Sequence, residues 1–290
     1  MFQLLFEHGC KDLSSQIDPA GCSEYPVGGG GYGDIYKGKT QDGTDVAIKV
    51  LRRSSSLDPK SVKHAMREVH RWSKARHPNI HELMGVIDFR GQLGMVSLWM
   101  EHGDLRSFIL KNPEVDRYPW CIQVAAGVSY LHTNDMVQLS ALCLGLQMNI
   151  LVSKDTTVRI SDFDCSIISD SSLLFSATGQ ATSLRYAAPE LMGSEDDEVV
   201  VEKTCQSDVY ALGMEIVTGA PPYSEYPLDF GVMKALAHGK FPKRPPVLSK
   251  GNRKDAFWNL LVQCWNSDRA VRPSAQRVLT RVSSQSGTRF

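Results

Sequence analysis

Gly28-Gly29-Gly30-Gly31-Tyr32-Gly33 runs straight into Asp34-Ile35-Tyr36-Lys37, and Val46-Ala47-Ile48-Lys49 follows an Asp42-Gly43 turn signal. The spacing Gly28-x-Gly30-x-x-Gly33 is a weak sign by itself, and what comes next decides its meaning. In a dinucleotide fold the third glycine opens a helix, with an acid about twenty residues on. Here the residues after Gly33 alternate as a strand, and Asp45 to Leu51 is a second strand rich in β-branched side chains. A glycine-rich β-turn folds over phosphates, because missing side chains let backbone N–H groups approach the oxygens. A lysine inside an apolar strand is costly unless an anion pairs with it. From Pro59 to Arg76 the period changes: Val62, Ala65, Met66, Val69 and Trp72 recur at three and four, with Asp58 as cap and Pro59 in the first turn. Glu68 lies beside that stripe and is the expected partner of Lys49.

Outward from this stretch, 290 residues with 42% hydrophobic and 22% charged side chains suit one large domain or two packed lobes. Collagen-like, disordered and disulfide-scaffold classes are excluded. Thirty-two basic residues balance thirty-two acidic ones, so no bulk electrostatic force draws the chain to nucleic acid or an anionic membrane. Seven cysteines, widely spaced and without a CxxC, read as free thiols of a reducing compartment. His77 and His81 lack a third nearby metal ligand. No apolar run reaches the roughly 18 residues of a membrane span. The opening Met1-Phe2-Gln3-Leu4-Leu5-Phe6 is too short for a signal peptide and lacks a basic leader, so it is expected to pack on the body or fray. The expected compartment is the cytoplasm or the nucleus.

Residues 25–100 read as short strands with one helix, residues 101–290 as mainly helical, and residues 1–24 as an extension. His77-Pro78-Asn79 breaks the first helix, and strands follow near 83–88 and 93–100. Further helices are read at Trp120 to Leu131, Val209 to Val217, Phe230 to Ala237, Phe257 to Trp265 and Ala275 to Val282. Ile150-Leu151-Val152 and Val158-Arg159-Ile160 form a hairpin about Lys154-Asp155. Residues 166–183, rich in Ser, Thr, Ala and Gly, read as a mobile loop, and Glu195-Asp196-Asp197-Glu198 as a solvated one.

Taken together, the chain resembles a eukaryotic protein kinase domain of the tyrosine-kinase-like group, and is especially similar to kinase-like domains of mushroom-forming fungi, over residues 12–283. The motifs stand in the family's order: the glycine loop from Gly28 to Ile35, Lys49 with Glu68, His77-Pro78-Asn79-Ile80, Asp162-Phe163-Asp164, Ala188-Pro189-Glu190, Ser207-Asp208-Val209-Tyr210-Ala211-Leu212-Gly213, and Arg272-Pro273. The resemblance implies an α+β, bilobal fold, a five-stranded β lobe with one helix over a larger helical lobe. It implies ATP and Mg2+ as cofactors. Val27, Ile35, Ala47 and Leu151 would sandwich the adenine, and Gly28, Gly30 and Gly33 would cover the phosphates. Ser97 takes the gatekeeper position, and Leu98 and Met100 offer hinge backbone groups. Lys49 would hold the α- and β-phosphates, and Asn149 and Asp162 the metal through hard oxygen ligands. Arg272 would pair with Glu190.

The chain departs from the family between Val137 and Asn149. The family's base aspartate and its lysine are missing from Gln138-Leu139-Ser140-Ala141-Leu142-Cys143-Leu144-Gly145-Leu146-Gln147-Met148. Counted from His132, the base position holds Ser140; counted back from Asn149, it holds Leu144, and the lysine position holds Leu146. The stretch is also longer than the family's. Asp164 replaces a glycine, and no arginine precedes the base position to meet an activation-loop phosphate, for which Ser169, Ser171, Ser172, Ser176, Thr178, Thr182 and Ser183 are candidate sites. Three accounts stay open: a pseudokinase serving as ATP-binding or structural scaffold, a kinase whose sequence is altered at a splice boundary, and a kinase with an unusual base. The expected function is Mg-ATP binding, nominally with transfer to protein Ser/Thr; the expected partner is a protein substrate or signalling protein.

Overall fold

The computed structural model describes residues 5–6, 10–30, 33–51, 69–70, 72–134, 136, 149–161, 184–191, 204–215, 222–249 and 251–286. The chain forms two compact units: of the described residues, those up to Glu101 together with Ser161 make the first, and those from His102 to Ile160 and from Leu184 onward make the second.

The first unit is an antiparallel sheet of β1 (Ile17–Asp18), β2 (Gly28–Gly30), β3 (Gly33–Thr40), β4 (Asp45–Leu51), β5 (Leu83–Phe89) and β6 (Gln92–Leu98). The order is β1-β3-β4-β6-β5, with β2 also on β3, so the sheet has six strands rather than the five expected. The extra strand is β1, two residues long and therefore without a readable period. Side chains alternate across a strand, and β4 obeys this strictly: Val46, Ile48 and Val50 are buried, Asp45, Ala47 and Lys49 half-buried. On the first face Leu13, Ile17, Val46, Ile48, Val50, Ile87, Phe89 and Val96 form one cluster. Each such side chain contributes about 1.5–3 kcal/mol by leaving water. On the other face lies a second cluster of Leu5, Cys10, Val69, Trp72, Leu83, Val86 and Met95. Residues 69–70 and 72–74 are helical, as the apolar stripe requires, and Trp72 Nε1 donates to His81 O at 2.6 Å. Strands β5 and β6 join through Arg90-Gly91, both at positive φ (55° and 80°), which matches the twist of a tight hairpin.

The second unit holds α1 (Leu105–Lys111), α2 (Tyr118–Thr133), β7 (Ile150–Val152), β8 (Val158–Ile160), α3 (Cys205–Glu215), α4 (Asp229–Ala237), α5 (Asn252–Cys264) and α6 (Ala275–Ser286). Gly103, at φ 69°, turns the chain into α1, where Asp104 Oδ1 accepts from Ser107 N at 2.8 Å and satisfies an orphan donor of the first turn. Helix α2 carries Pro119 in its first turn and buries Trp120, Cys121, Ile122, Val124, Ala125, Val128 and Leu131. It packs on α6, and Ser129 Oγ donates to Gln276 Oε1 at 2.7 Å. The β7–β8 hairpin buries Ile150, Val152, Val158 and Ile160 completely, while Leu151 between them stays half-exposed. Burial pushes the Cys121 and Cys264 thiols up to about 12. No helix among the described residues is long and apolar enough to cross a membrane.

Candidate nucleotide site

In the first unit the glycines pair before they turn. Gly28, Gly29 and Gly30 lie opposite Ile35, Asp34 and Gly33, and Val27 N donates to Ile35 O at 2.8 Å. A Cβ on Gly29 would stand 3.0 Å from Gly33 O and 3.1 Å from Asp34 Oδ1. At Gly29 a side chain would be crowded, and the three glycines present bare backbone, the surface on which an oxyanion can meet N–H groups.

Register carries the same face inward. Ile35 opposes Lys49, which opposes Met95; Lys37 opposes Ala47, which opposes Ser97. Cross-strand partners share a face, so Ile35, Ala47, Lys49 and Ser97 stand together on one side of the sheet. Ala47 and Lys49 are half-buried, and Ser97 is 7% exposed. Leu98 opposes Val46 at the edge of this surface, Trp99 N donates to Asp45 O at 3.0 Å, and Met100 is buried. Val27 is 53% exposed, as an apolar residue reserved for a ligand would be. These residues fit a nucleoside triphosphate: an apolar patch for a base, bare backbone, and an ammonium on the same face.

The second unit holds Asn149 and Leu151. Asn149 directly precedes β7 and is half-buried; Leu151 opposes Arg159 and makes a bridge to Asp104. Asn149 offers an amide oxygen of the kind a hard cation takes. The expected metal ligand Asp162, the lysine partner Glu68, the base positions Ser140 and Leu144, Leu146, the tip of the glycine loop at Gly31 and Tyr32, the loop at 166–183 and the acidic run at 195–198 lie outside the described residues.

The second unit also holds buried charged pairs. His132 Nε2 and Asp208 Oδ2 lie 2.9 Å apart, joining the end of α2 to α3, with the carboxylate side chain 1% exposed. Arg272 grips Glu190 through both nitrogens, Nη1 to Oε1 at 2.6 Å and Nη2 to Oε2 at 2.7 Å. Its Nε donates to Asn266 O at 2.7 Å, and its plane lies 5.0 Å from the centre of the Tyr210 ring. Burial pushes the Tyr210 hydroxyl pKa upward. Sequence reasoning missed Arg185. It is buried and donates to the carbonyls of Pro222 (3.2 Å), Tyr223 (2.8 Å) and Tyr226 (2.9 Å), tying the segment before Pro189 to the approach to α4. Only its place before Ala188-Pro189-Glu190 hinted at this, because carbonyl acceptors leave no trace in composition.

A sequence model of the protein tyrosine and serine/threonine kinase family matches residues 23–282. A probable serine/threonine-protein kinase of Dictyostelium discoideum is 30% identical over 87% of this chain and 49% of its own length. The serine/threonine-protein kinase VIK of Arabidopsis thaliana is 27% identical over 88% of this chain and 58% of its own. Human ephrin type-A receptor 1 is 28% identical over 93% and 27%. The chain thus spans about half the length, or less, of these curated relatives. With the six-stranded sheet, the paired glycines, Lys49 on its face and the Arg272–Glu190 pair in place, the chain belongs to the protein tyrosine and serine/threonine kinase family.

Proposed function

We propose that this domain binds Mg-ATP and that its phosphoryl transfer to protein Ser/Thr is severely slowed. Nucleotide binding is supported above all by the register that puts Lys49 beside Ile35 and one row from Ala47 and Ser97, next to the paired glycines. In this reading Val27, Ile35, Ala47 and Leu151 hold the base, Leu98 and Met100 present hinge backbone groups, and Lys49 with Glu68 holds the α- and β-phosphates. Asn149 and Asp162 would hold the metal, which would supply positive charge to the phosphate oxygens. In this reading the chain belongs to the tyrosine-kinase-like group, near the fungal kinase-like domains, and its partner is a protein substrate or signalling protein.

The slowed transfer rests on one sequence observation: residues 138–148 contain neither a carboxylate nor a lysine. General-base catalysis contributes about 10²–10⁴ in rate, and a lost electrostatic donor costs about 10²–10³. The same observation favours a second reading, a pseudokinase scaffold that binds nucleotide without transfer. A splice-altered kinase is the third, since the overlong apolar stretch lies between well-matched flanks; reading the transcript across 137–149 tests it, and a His-x-Asp-x-Lys there restores the enzyme.

The deciding experiment is a thermal-shift titration with Mg-ATP on the chain and on Lys49→Met, followed by transfer of labelled phosphate with Asp162→Asn as control. Stabilisation that Lys49→Met abolishes, with label transfer near background, is the expected result. No stabilisation of the unaltered chain overturns the nucleotide reading, and rapid transfer that Asp162→Asn abolishes overturns the slowed chemistry.

A further inference from the structure

Leu5 and Cys10 pack on the face of the sheet on which Lys49 stands, and Leu13 packs on the opposite face. Leu5 is 1% exposed, Cys10 5% and Leu13 2%. Leu5 and Cys10 enter the same cluster as Val69, Trp72, Leu83, Val86 and Met95, with Phe6 and Leu93 packed against it. The backbone fastens the segment to β5: Val86 N donates to Lys11 O at 2.9 Å, Leu13 N to Val86 O at 3.0 Å, and Asp12 makes a parallel bridge to Val86. The approach is so close that a Cβ on Gly85 would stand 2.4 Å from Lys11 O. Only glycine admits the segment at that point.

Two members of this cluster lead to the nucleotide surface. Met95, 1% exposed, is the cross-strand partner of Lys49. Val69, 2% exposed, directly follows Glu68 in the chain. Close-packed interiors do not absorb the loss of a side chain silently, so a gap at Leu5 is felt by the residues that share its cluster.

We propose that Leu5, Phe6 and residues 10–13 form a positioning strap whose packing, through Met95, Val69 and Trp72, sets the affinity of Lys49 for a triphosphate. The strap touches no ligand; it holds the row and the helix from which the phosphate contacts are made. This rests on the nucleotide-binding reading above. By linkage the effect is reciprocal: bound nucleotide tightens the strap as much as the strap tightens the nucleotide.

The test measures the Mg-ATP dissociation constant of the full chain by calorimetry, well below the melting transition, for the unaltered protein, Leu5→Ala, Gly85→Ala, the double variant, Leu5→Met and Lys49→Met. Each lesion is expected to weaken binding about tenfold, within the 5–150-fold range of such couplings. The double variant should be no weaker than the worse single one, because both remove the same strap, and Leu5→Met should restore most of the affinity. Mg-ATP should also slow hydrogen exchange at the amides of Leu13 and Val86 by more than the global stabilisation that binding confers on every core amide. Should Gly85→Ala lose its cooperative melt, Leu5→Ala decides alone. Variants that melt earlier yet bind within about twofold of the unaltered chain overturn the strap's positioning role. An unaltered chain that binds no Mg-ATP, or is matched by Lys49→Met, overturns the nucleotide reading itself.

Discussion

Arg272 in the second unit and Lys49 in the first are both cations, and they differ in how far the protein encloses them. Arg272, its side chain fully buried, spends its donors on the chain itself: on both oxygens of Glu190, on Gln206 O at 3.0 Å and on Asn266 O. Lys49 stays half-buried on a sheet face shared with Ile35, Ala47 and Ser97, beside a ribbon stripped of side chains. A charge enclosed by its own protein makes structure. In the proposed reading, the half-buried Lys49 beside bare backbone meets a phosphate. The two should therefore fail in different assays.

The largest effect is expected at Arg272. Its removal leaves Glu190, whose side chain is only 19% exposed, without its bidentate partner. Breaking such a pair from one side costs about 3–5 kcal/mol, mostly as a stranded charge. Arg272→Ala should lower the urea midpoint of the second unit sharply, and Arg272→Ala with Glu190→Ala should recover part of the loss. A single variant with an unchanged midpoint would break the contrast at its structural end.

Ile48 comes next, as a control on the opposite face of Lys49's own strand. It is completely buried. Truncation of such a residue costs about 2–5 kcal/mol through lost transfer energy and the cavity left behind. Ile48→Ala should melt earlier and still gain the same increment from Mg-ATP. Loss of the increment would mean that the two faces of β4 are not separable.

Lys49→Met should show the reverse pattern. Its apo melt should fall less than that of Arg272→Ala, since Lys49 is half-buried where the Arg272 side chain is fully enclosed. At nucleotide a hundredfold above the dissociation constant, the unaltered chain gains about 2.7 kcal/mol, and Lys49→Met should gain almost none of it.

How much of this was legible in the sequence follows from what each feature depends on. Lys49 could be found because a lysine inside Val46-Ala47-Ile48 is expensive unless used, and the glycines because their run leads into a strand. Five helices of the second unit were visible as apolar periods; α6 starts at Ala275 as read, whereas α5 begins at Asn252, not near Phe257, because Asn252, Arg253, Lys254 and Asp255 are polar and add nothing to the apolar stripe. Helix α1 was missed at seven residues, too short to repeat. The strap was left between packing and fraying because its apolar residues Leu5, Cys10 and Leu13 share no period, and Gly85, the position that admits it, declares itself only once Lys11 is placed against it. The Glu190–Arg272 pair, 82 residues apart in the chain, was expected from the family resemblance alone.

The smallest effect is expected where cations are neither enclosed nor reserved. Lys39 Nζ lies 2.6 Å from Asp45 Oδ1 and Lys37 Nζ 3.1 Å from Oδ2, with the lysine side chains 51% and 41% exposed. Hydrogen bonds from Lys39 and then Lys37 hold the Asp45 carboxyl below its usual range. The sign follows: a depressed carboxyl stabilises the fold above its unfolded pKa, near 4, and that contribution disappears as pH falls through the folded value. Water and salt screen so open a pair. Asp45→Asn should leave the melting temperature unresolved from the unaltered chain at neutral pH and physiological salt, and should flatten only the acid limb of its pH profile. A clear loss at neutral pH would show that an exposed pair at the edge of β4 is held as firmly as Arg272, and would remove burial as the property separating the structural cation from the others.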